Sequence, residues 1–521
     1  MPSHKAGPPT LPNDADVELH GPLRQKLFNV DQGSNRDDYS QVHPNEDEWE
    51  IVTESEAQPY LPEGKSRRVM LGIKEKTTVD IPLLGAESVG KHIAVKPGYV
   101  INNGGAVWGL GFAPKRPDIE SDPHTQYLAI TGFRGAEKEH HKQRGEVPTG
   151  TYKNAIQIWK LHLSVNDDPV EPRLDLCLLH DFGPVKSLEW CPYGAYEEEL
   201  EKDIPKLGIL AIVCGDNTVR LIVVPHPNAL RQSEGGQGTL YLRLKKVRYT
   251  LKLNSMIPMV ASWGGHSKVA CGFANGMVAV LDAERALMNG HKDNDHPQRY
   301  INSSVVVHAS AVRNIAWHGV IDPVNFASCG SDGCVFIHDP QDPGHPIMYS
   351  RTRSIAYALV WPGIGDKLSY MDGDNILHLC DTKERSETSP GNRLVEGNAA
   401  SFSIAGSEMH PFLSITSSDG WLKIVNAYVL RRRGETKYQN IAYKLEYDPE
   451  EDTFQYIDGL KPMSKDQSKK EKPYYHYMKD SVRVLTKTCW CPNTTSAGWI
   501  ASGGAAGLCR VEFVGRGTQW T

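Results

Sequence analysis

Long apolar stretches are missing from this sequence. The longest near-continuous run, Leu207 to Cys214, is eight residues, far short of the roughly 20 that a membrane-spanning helix needs. The first residues also lack the apolar core of a secretion signal, so the chain is expected to be soluble and intracellular. Cysteine is sparse, with ten in 521 residues. These are scattered through apolar, strand-like segments and read as small buried hydrophobes in a reducing compartment, not as a disulfide framework. No Gly-rich loop with a following Lys opens a helix, and no G-x-S-x-G joins a strand to a helix, so neither phosphate binding nor α/β-hydrolase chemistry is expected. Cys329 with Cys334, and Cys489 with Cys491, each lack a second ligand pair at closed spacing, so no metal site is expected. No cofactor and no small-molecule substrate are expected either.

What is present is turn chemistry and uneven charge. With 47 Gly and 34 Pro, the composition is that of a turn-rich globular protein. The formal net charge is −6, but residues 1–63 carry 13 acidic and 4 basic side chains while the remainder holds 53 basic and 50 acidic. Residues 1–65 therefore read as an acidic, largely disordered tail, because such a composition buries too little apolar surface to offset the entropy of ordering. The exception is Glu48-Trp49-Glu50-Ile51-Val52, where Trp49 is a candidate anchor for docking the tail in cis or on a partner.

Downstream of residue 100 one pattern recurs: an apolar run, a short Gly/Asp/Asn turn, and a second run of alternating polarity. Examples are ILAIVCGDNTVRLIVV from Ile209, KVACGFANGMVAVLD from Lys268, FASCGSDGCVFIHD from Phe326, KLSYMDGDNILHLCD from Lys367, FLSITSSDGWLKIVN from Phe412 and WIASGGAAGLCRVEF from Trp499. A seventh, YLAITGF and AIQIWKL, is interrupted at its turn. Most are preceded by a further strand-like segment ending in an aromatic, as in VWGLGFAP, VKSLEWCP, VRNIAWHG and LTKTCWCP. Units of this kind, with a fourth strand fitting between them, predict an all-β fold: a seven-bladed β-propeller over residues 66–521. Radial closure also removes the long exposed edges that an open sheet of so many strands would leave. The last hairpin ends near Phe513, so the final blade needs a strand from the beginning of the chain. Arg68 to Ile73 and Thr78 to Ile81 are suitable, and a strand from about residues 67–83 is predicted to close the ring.

Tryptophan-bearing strands, with Asp282, Asp339 and Asp381 closing the third strand of their units, resemble the WD-repeat family in degenerate form. The order GGAVWGLGFAP, QYLAITGF, GPVKSLEWCP, LAIVCGDNTVRL, a long basic insertion, and TKTCWCP followed by WIASGGAAGLCRVEF resembles the fungal WD-repeat subunit of the RNA polymerase III transcription factor IIIC. That resemblance implies a nuclear, non-enzymatic scaffold. It further implies pairing with a second propeller subunit and with other subunits of the complex, and auxiliary or indirect contact with the internal promoter DNA of tRNA genes. The alternative is another WD-repeat adaptor that grips a peptide, such as a histone tail or a ubiquitin-ligase substrate, over the central channel.

Function is expected in the insertions, because a rigid ring presents its loops for binding. These are residues 134–154, 283–300, 384–397 and 428–480. The last begins with Arg431, Arg432 and Arg433, continues through Lys461, Lys465, Lys469 and Lys470 to Tyr474 and Tyr475, and contains a hairpin of its own around Asp448 to Glu451. Cations interleaved with aromatics suit phosphate neutralisation and base stacking, and these nine residues are the candidate nucleic-acid or partner contacts.

Overall fold

The protein is described by a computed structural model covering residues 35–118, 122–135, 146–199, 203–234, 238–289, 296–362, 367–382, 392–397, 399–427, 440–460 and 481–514. Its strands fall into seven hydrogen-bonded sheets. Their innermost strands are Val107–Phe112, Val185–Trp190, Pro258–Gly264, Val312–Trp317, Ala356–Val360, Ser403–Ala405 and Leu485–Trp490. Each packs against the next, and the last packs against the first. The result is an all-β ring of the propeller type. Sheets 2, 3, 4 and 5 are plain four-stranded units, whereas sheets 1, 6 and 7 are composites of six, seven and five strands. Two counts of blades follow: six, one fewer than expected from the sequence, or seven, one for each hydrogen-bonded sheet.

Local chemistry explains the repetition. The turns joining second to third strands place Asn217, Gly276, Gly333, Asn375, Gly420 and Gly507 at φ between 60° and 86°, a conformation that favours Gly and Asn. At Gly276 an added Cβ would stand 1.8 Å from the His308 carbonyl oxygen, which leaves room only for glycine. The aromatic that ends most inner strands stitches neighbouring sheets together. Indole N–H groups of Trp190, Trp263, Trp317 and Trp490 donate to the carbonyls of Gly111, Glu189, Ser262 and Ala405 at 3.0, 3.2, 3.1 and 3.2 Å. Each of those carbonyls lies on the inner strand of the preceding sheet. The apolar clusters likewise straddle adjacent sheets, one joining Ile156, Ile158 and Leu178 of sheet 1 to Leu210, Ile212 and Ile222 of sheet 2.

Sheet 4 holds a buried polar chain. His308 Nδ1 lies 3.0 Å from Asp332 Oδ1, His308 Nε2 lies 2.8 Å from Ser328 Oγ, and that hydroxyl lies 2.7 Å from His338 Nε2. Burial pushes the His338 imidazole down to about 3, so it is a neutral hydrogen-bonding group at physiological pH.

Two expectations are corrected. Residues 35–65 are not a disordered tail. Tyr39, Val42, Trp49, Tyr60 and Leu61 are all buried against the ring, and Glu48 and Glu50 between them pair with Arg248, Arg243 and Lys245, so mean composition concealed a segment that combines apolar anchors with ion pairs. Residues 1–34 lie outside the described residues. The closing strand is also not within 67–83: Gly98–Asn102 pairs antiparallel with Leu508–Phe513, and Ala86–Ser88 adds outside it. Arg67–Leu71 instead lies parallel to Thr453–Ile457 and extends sheet 6, with Thr77–Ile81 beyond it. The cause is connectivity. A closing strand must feed the innermost strand that begins at Val107, and only Gly98–Asn102 is one short turn away. All five of its residues are buried.

Candidate interaction surfaces

The long insertion contains the expected hairpin, Asn440–Asp448 with Thr453–Ile457. All nine sequence-selected contacts, Arg431, Arg432, Arg433, Lys461, Lys465, Lys469, Lys470, Tyr474 and Tyr475, lie outside the described residues. What is described is the base from which residues 461–480 depart. Just before it, Asp458 is buried in a group of four charges. Lys96 Nζ donates to Asp458 Oδ1 at 2.6 Å and to the Ala442 carbonyl at 2.6 Å, and it stands 2.8 Å from Glu512 Oε2. Arg510 donates to both Asp458 oxygens, at 3.0 and 2.7 Å, and through Nε to Glu512 Oε2 at 2.9 Å. Its guanidinium also lies 4.7 and 5.0 Å from the ring centroids of Tyr443 and Tyr456. Burial alone would raise the Asp458 carboxyl, but Arg510 and Lys96 outweigh it and hold it below its ordinary range. The group ties the insertion hairpin to the final strand and to the segment that leads into the closing strand. Sequence reasoning missed it; the available signal was Arg510-x-Glu512 inside an otherwise apolar strand.

Trp49 sits at the outer edge of sheet 1 and is 7% exposed. Asn45 caps the turn before it, its side chain accepting from Asp47 N while the Glu48 carboxylate reaches back to Asn45 N, a reciprocal arrangement that fixes how the chain turns into the strand. Trp49–Ile51 then pairs antiparallel with Leu240–Leu244, which itself lies parallel to Arg173–His180. The flanking acids are paired: Glu48 Oε1 lies 2.7 Å from Arg248 Nε, and Glu50 bonds Arg243 and, at 2.8 Å, Lys245. Further upstream Arg36 bridges Asp38 and Asp322, and Tyr39 donates its hydroxyl to the His266 carbonyl. Trp49 is thus packed within this chain, and Glu48 and Glu50 beside it face cations of the same chain.

The added strands are distributed unevenly. Sheets 1, 6 and 7 carry extra strands on their outer edges, whereas Ile301–Val306 and Ile347–Arg351 end sheets 3 and 4 without a further strand among the described residues. Ile301–Val306 bears no charge, and Val306, Ile347 and Met348 are exposed there. Outer edges with few charges are sites where other chains add. The described residues hold no group of His, Cys, Asp and Glu able to bind a metal ion. All ten cysteines are free thiols, and burial pushes those of Cys214 and Cys271 up to about 11 and 12.

No protein-family model matches the chain. It is 26% identical over 427 residues to transcription factor tau subunit sfc6 of Schizosaccharomyces pombe, an alignment covering 80% of this chain and 65% of that protein. General transcription factor 3C polypeptide 2 of Pongo abelii is 22% identical over 547 residues, covering 89% and 58%. The chain is a homologue of these transcription factor subunits. The transcription factor tau 91 kDa subunit of Saccharomyces cerevisiae is a further relative, 22% identical over 432 residues and covering 80% of this chain and 58% of that one. The chain therefore spans about three-fifths of the length of the curated relatives it matches.

Proposed function

We propose that the chain is a non-enzymatic scaffold subunit of a transcription factor IIIC complex, working in the nucleus. In this reading each of the seven sheets is one blade, the ring pairs with a second propeller subunit, and the assembly assists recognition of internal promoter DNA in tRNA genes. The observation that carries the proposal is similarity to tau and 3C subunits along 80–89% of the chain. The circuit of seven inner strands supports the blade count, and the outer edges of sheets 3 and 4 offer the surface for pairing. Residues 431–433 and 461–475 take an auxiliary part in DNA contact, since the body of the chain is close to neutral and cannot act as the principal cationic groove.

The test is to replace Arg431, Arg432, Arg433, Lys469 and Lys470 with Ser and to measure the affinity of the assembled complex for a tRNA gene across a salt series. Each phosphate left without its cation should make the slope of log K against log salt shallower by about 0.9. An unchanged slope removes these residues from any role at DNA.

A further inference from the structure

Where sheet 1 faces sheet 2, two buried donors meet no acceptor. The Tyr127 hydroxyl and Arg231 Nε are both screened from solvent and hydrogen-bond to nothing among the described residues, and Tyr127 as a whole is 1% exposed. A buried donor left unpaired is costly and uncommon. Tyr127 lies opposite Lys160, and Lys160 opposite Arg173, across three neighbouring strands. Directly opposed residues share a face of the sheet, and Tyr127 packs in the apolar cluster that joins sheet 1 to sheet 2. The group sits at the end of sheet 1 away from its interrupted turn, on the flank of the ring.

A bulge brings in the rest. Ile158 pairs with Leu176 and Trp159 with Leu174, so Asp175 is the extra residue of its strand, and a bulge re-aims that side chain. The buried Asp175 carboxylate receives Arg231 Nη2 at 2.8 Å and Arg173 Nε at 3.0 Å. Arg231 belongs to the helix Pro227–Glu234. His226, just before it, sets its ring edge-on to Tyr127 and Tyr196, at 5.6 and 6.0 Å between centroids. Asp175, Arg231 and Arg173 all act electrostatically on the Tyr127 hydroxyl, which places that hydroxyl among the charges.

Those charges do not balance. Asp175 faces both Arg173 and Arg231, which leaves one positive charge over, and Lys160 adds a second. The Lys160 ammonium stands 6.0 Å from the Tyr127 ring centroid and forms no ion pair among the described residues. Burial lowers its pKa, Asp175 opposes that shift, and Arg173 and Arg231 reinforce it. The other carboxylates nearby have partners of their own: Asp122 accepts from the Thr125 hydroxyl and the His124 amide, and Glu198 from the Tyr196 hydroxyl. Lys115 donates to the Asp122 and Thr125 carbonyls.

We infer that this cluster binds a phosphate monoester, whose oxygens accept from the Lys160 ammonium, the Tyr127 hydroxyl and Arg231 Nε. At neutral pH such a group carries a charge of about −1.5 to −2 and three acceptor oxygens, which matches two surplus cations and three donors. A carboxylate, or the phosphodiester of a nucleic acid, brings a single negative charge. Free phosphate and a phosphorylated serine or threonine of a partner protein present the same chemistry, and the test separates them. The inference goes beyond the scaffold reading and does not depend on it.

The full chain is titrated by calorimetry, at neutral pH and constant ionic strength, with sodium phosphate, with a degenerate peptide pool built around one phosphoserine, and with the same pool carrying serine. The monoester is expected to bind and the serine pool is not. Tighter binding of the phosphoserine pool than of phosphate assigns the source to a partner's modified side chain, and the reverse order assigns it to free phosphate. Affinity should fall about tenfold or more in Lys160→Met and in Tyr127→Phe, each of which removes one donor to a charged acceptor. Tyr127→Phe also has a readout without ligand: a hydroxyl that lacks an acceptor can be removed with the melting temperature level or raised. Failure of both monoesters to bind, or affinity unmoved in both variants, overturns the inference. So does equal binding of an oligo-dT that has no terminal phosphate, or a lowered melting temperature in Tyr127→Phe.

Discussion

Replacing Asp458 with Asn should destabilise the protein well beyond what one ion pair at the surface contributes. The carboxylate is fully buried and receives three hydrogen bonds, one from Lys96 at 2.6 Å and two from Arg510 at 3.0 and 2.7 Å. In the native protein two cations face two carboxylates; in Asp458→Asn the cations remain buried with Glu512 alone, and an amide NH2 is forced against donors. Breaking a buried pair from one side costs about 3–5 kcal/mol, against about 0–1 kcal/mol for an exposed pair. Adding Lys96→Met restores charge balance, so the double variant should be less destabilised than the sum of the single ones, by about 1–3 kcal/mol. Guanidinium denaturation followed by tryptophan fluorescence measures all four corners of the cycle. A destabilisation under about 1 kcal/mol for Asp458→Asn, or strict additivity, would refute the reasoning. The consequence for function is positional: because Asp458 closes the hairpin from which residues 461–480 leave, loosening it should also weaken any interaction those residues make.

Three further outcomes follow from the geometry. Gly98→Val should impair ring closure, since an added Cβ would stand 2.6 Å from the Val511 carbonyl oxygen, and overpacking of this kind costs about 1–3 kcal/mol; a melting temperature equal to the native one contradicts the assigned closing strand. Trp49→Ala should release residues 35–60 while leaving the ring intact, read as new limited-proteolysis sites upstream of residue 65, and continued protection there would deny Trp49 its anchoring part. Burial pushes His180, His226, His338 and His410 down to about 3, 4, 3 and 4. Unfolded, these groups take up protons near pH 6.5, whereas folded they do not, so stability should fall as pH drops from about 6.5 toward 4, each contributing up to about 1.4 kcal/mol per pH unit. Glu189, which burial raises to about 7, works in the opposite sense between pH 7 and its unfolded value, one group against four. Denaturation midpoints that stay level or rise from pH 7 to pH 5 would contradict the buried neutral histidines.

The repeating part of the fold was legible because it is local. Hairpins such as Lys268–Phe273 with Met277–Asp282 are written as alternating apolar residues around an Asn-Gly turn, and the inner-strand tryptophans mark the seams. The N-terminal segment was not legible, because its anchors Tyr39, Trp49 and Tyr60 are widely spaced among carboxylates whose partners, Arg248, Arg243 and Lys245, lie about two hundred positions away. The closing strand was misassigned for a related reason: Arg67–Leu71 and Gly98–Asn102 are both good β-formers, and only the three-dimensional position of Thr453–Ile457 decides which edge each one meets. The buried charges at Lys96, Asp458, Arg510 and Glu512 likewise acquire meaning only when three distant segments converge. The basic and aromatic residues of the long insertion rest on sequence alone.

The most direct measurement of the central claim is quantitative recovery of the tagged full chain from nuclear extract. The account predicts stoichiometric tau-type subunits, a second propeller protein among them, together with binding of the recovered complex to tRNA-gene DNA. Recovery in a stoichiometric complex with a ubiquitin ligase or a chromatin-modifying enzyme, and without tau-type subunits, would contradict it.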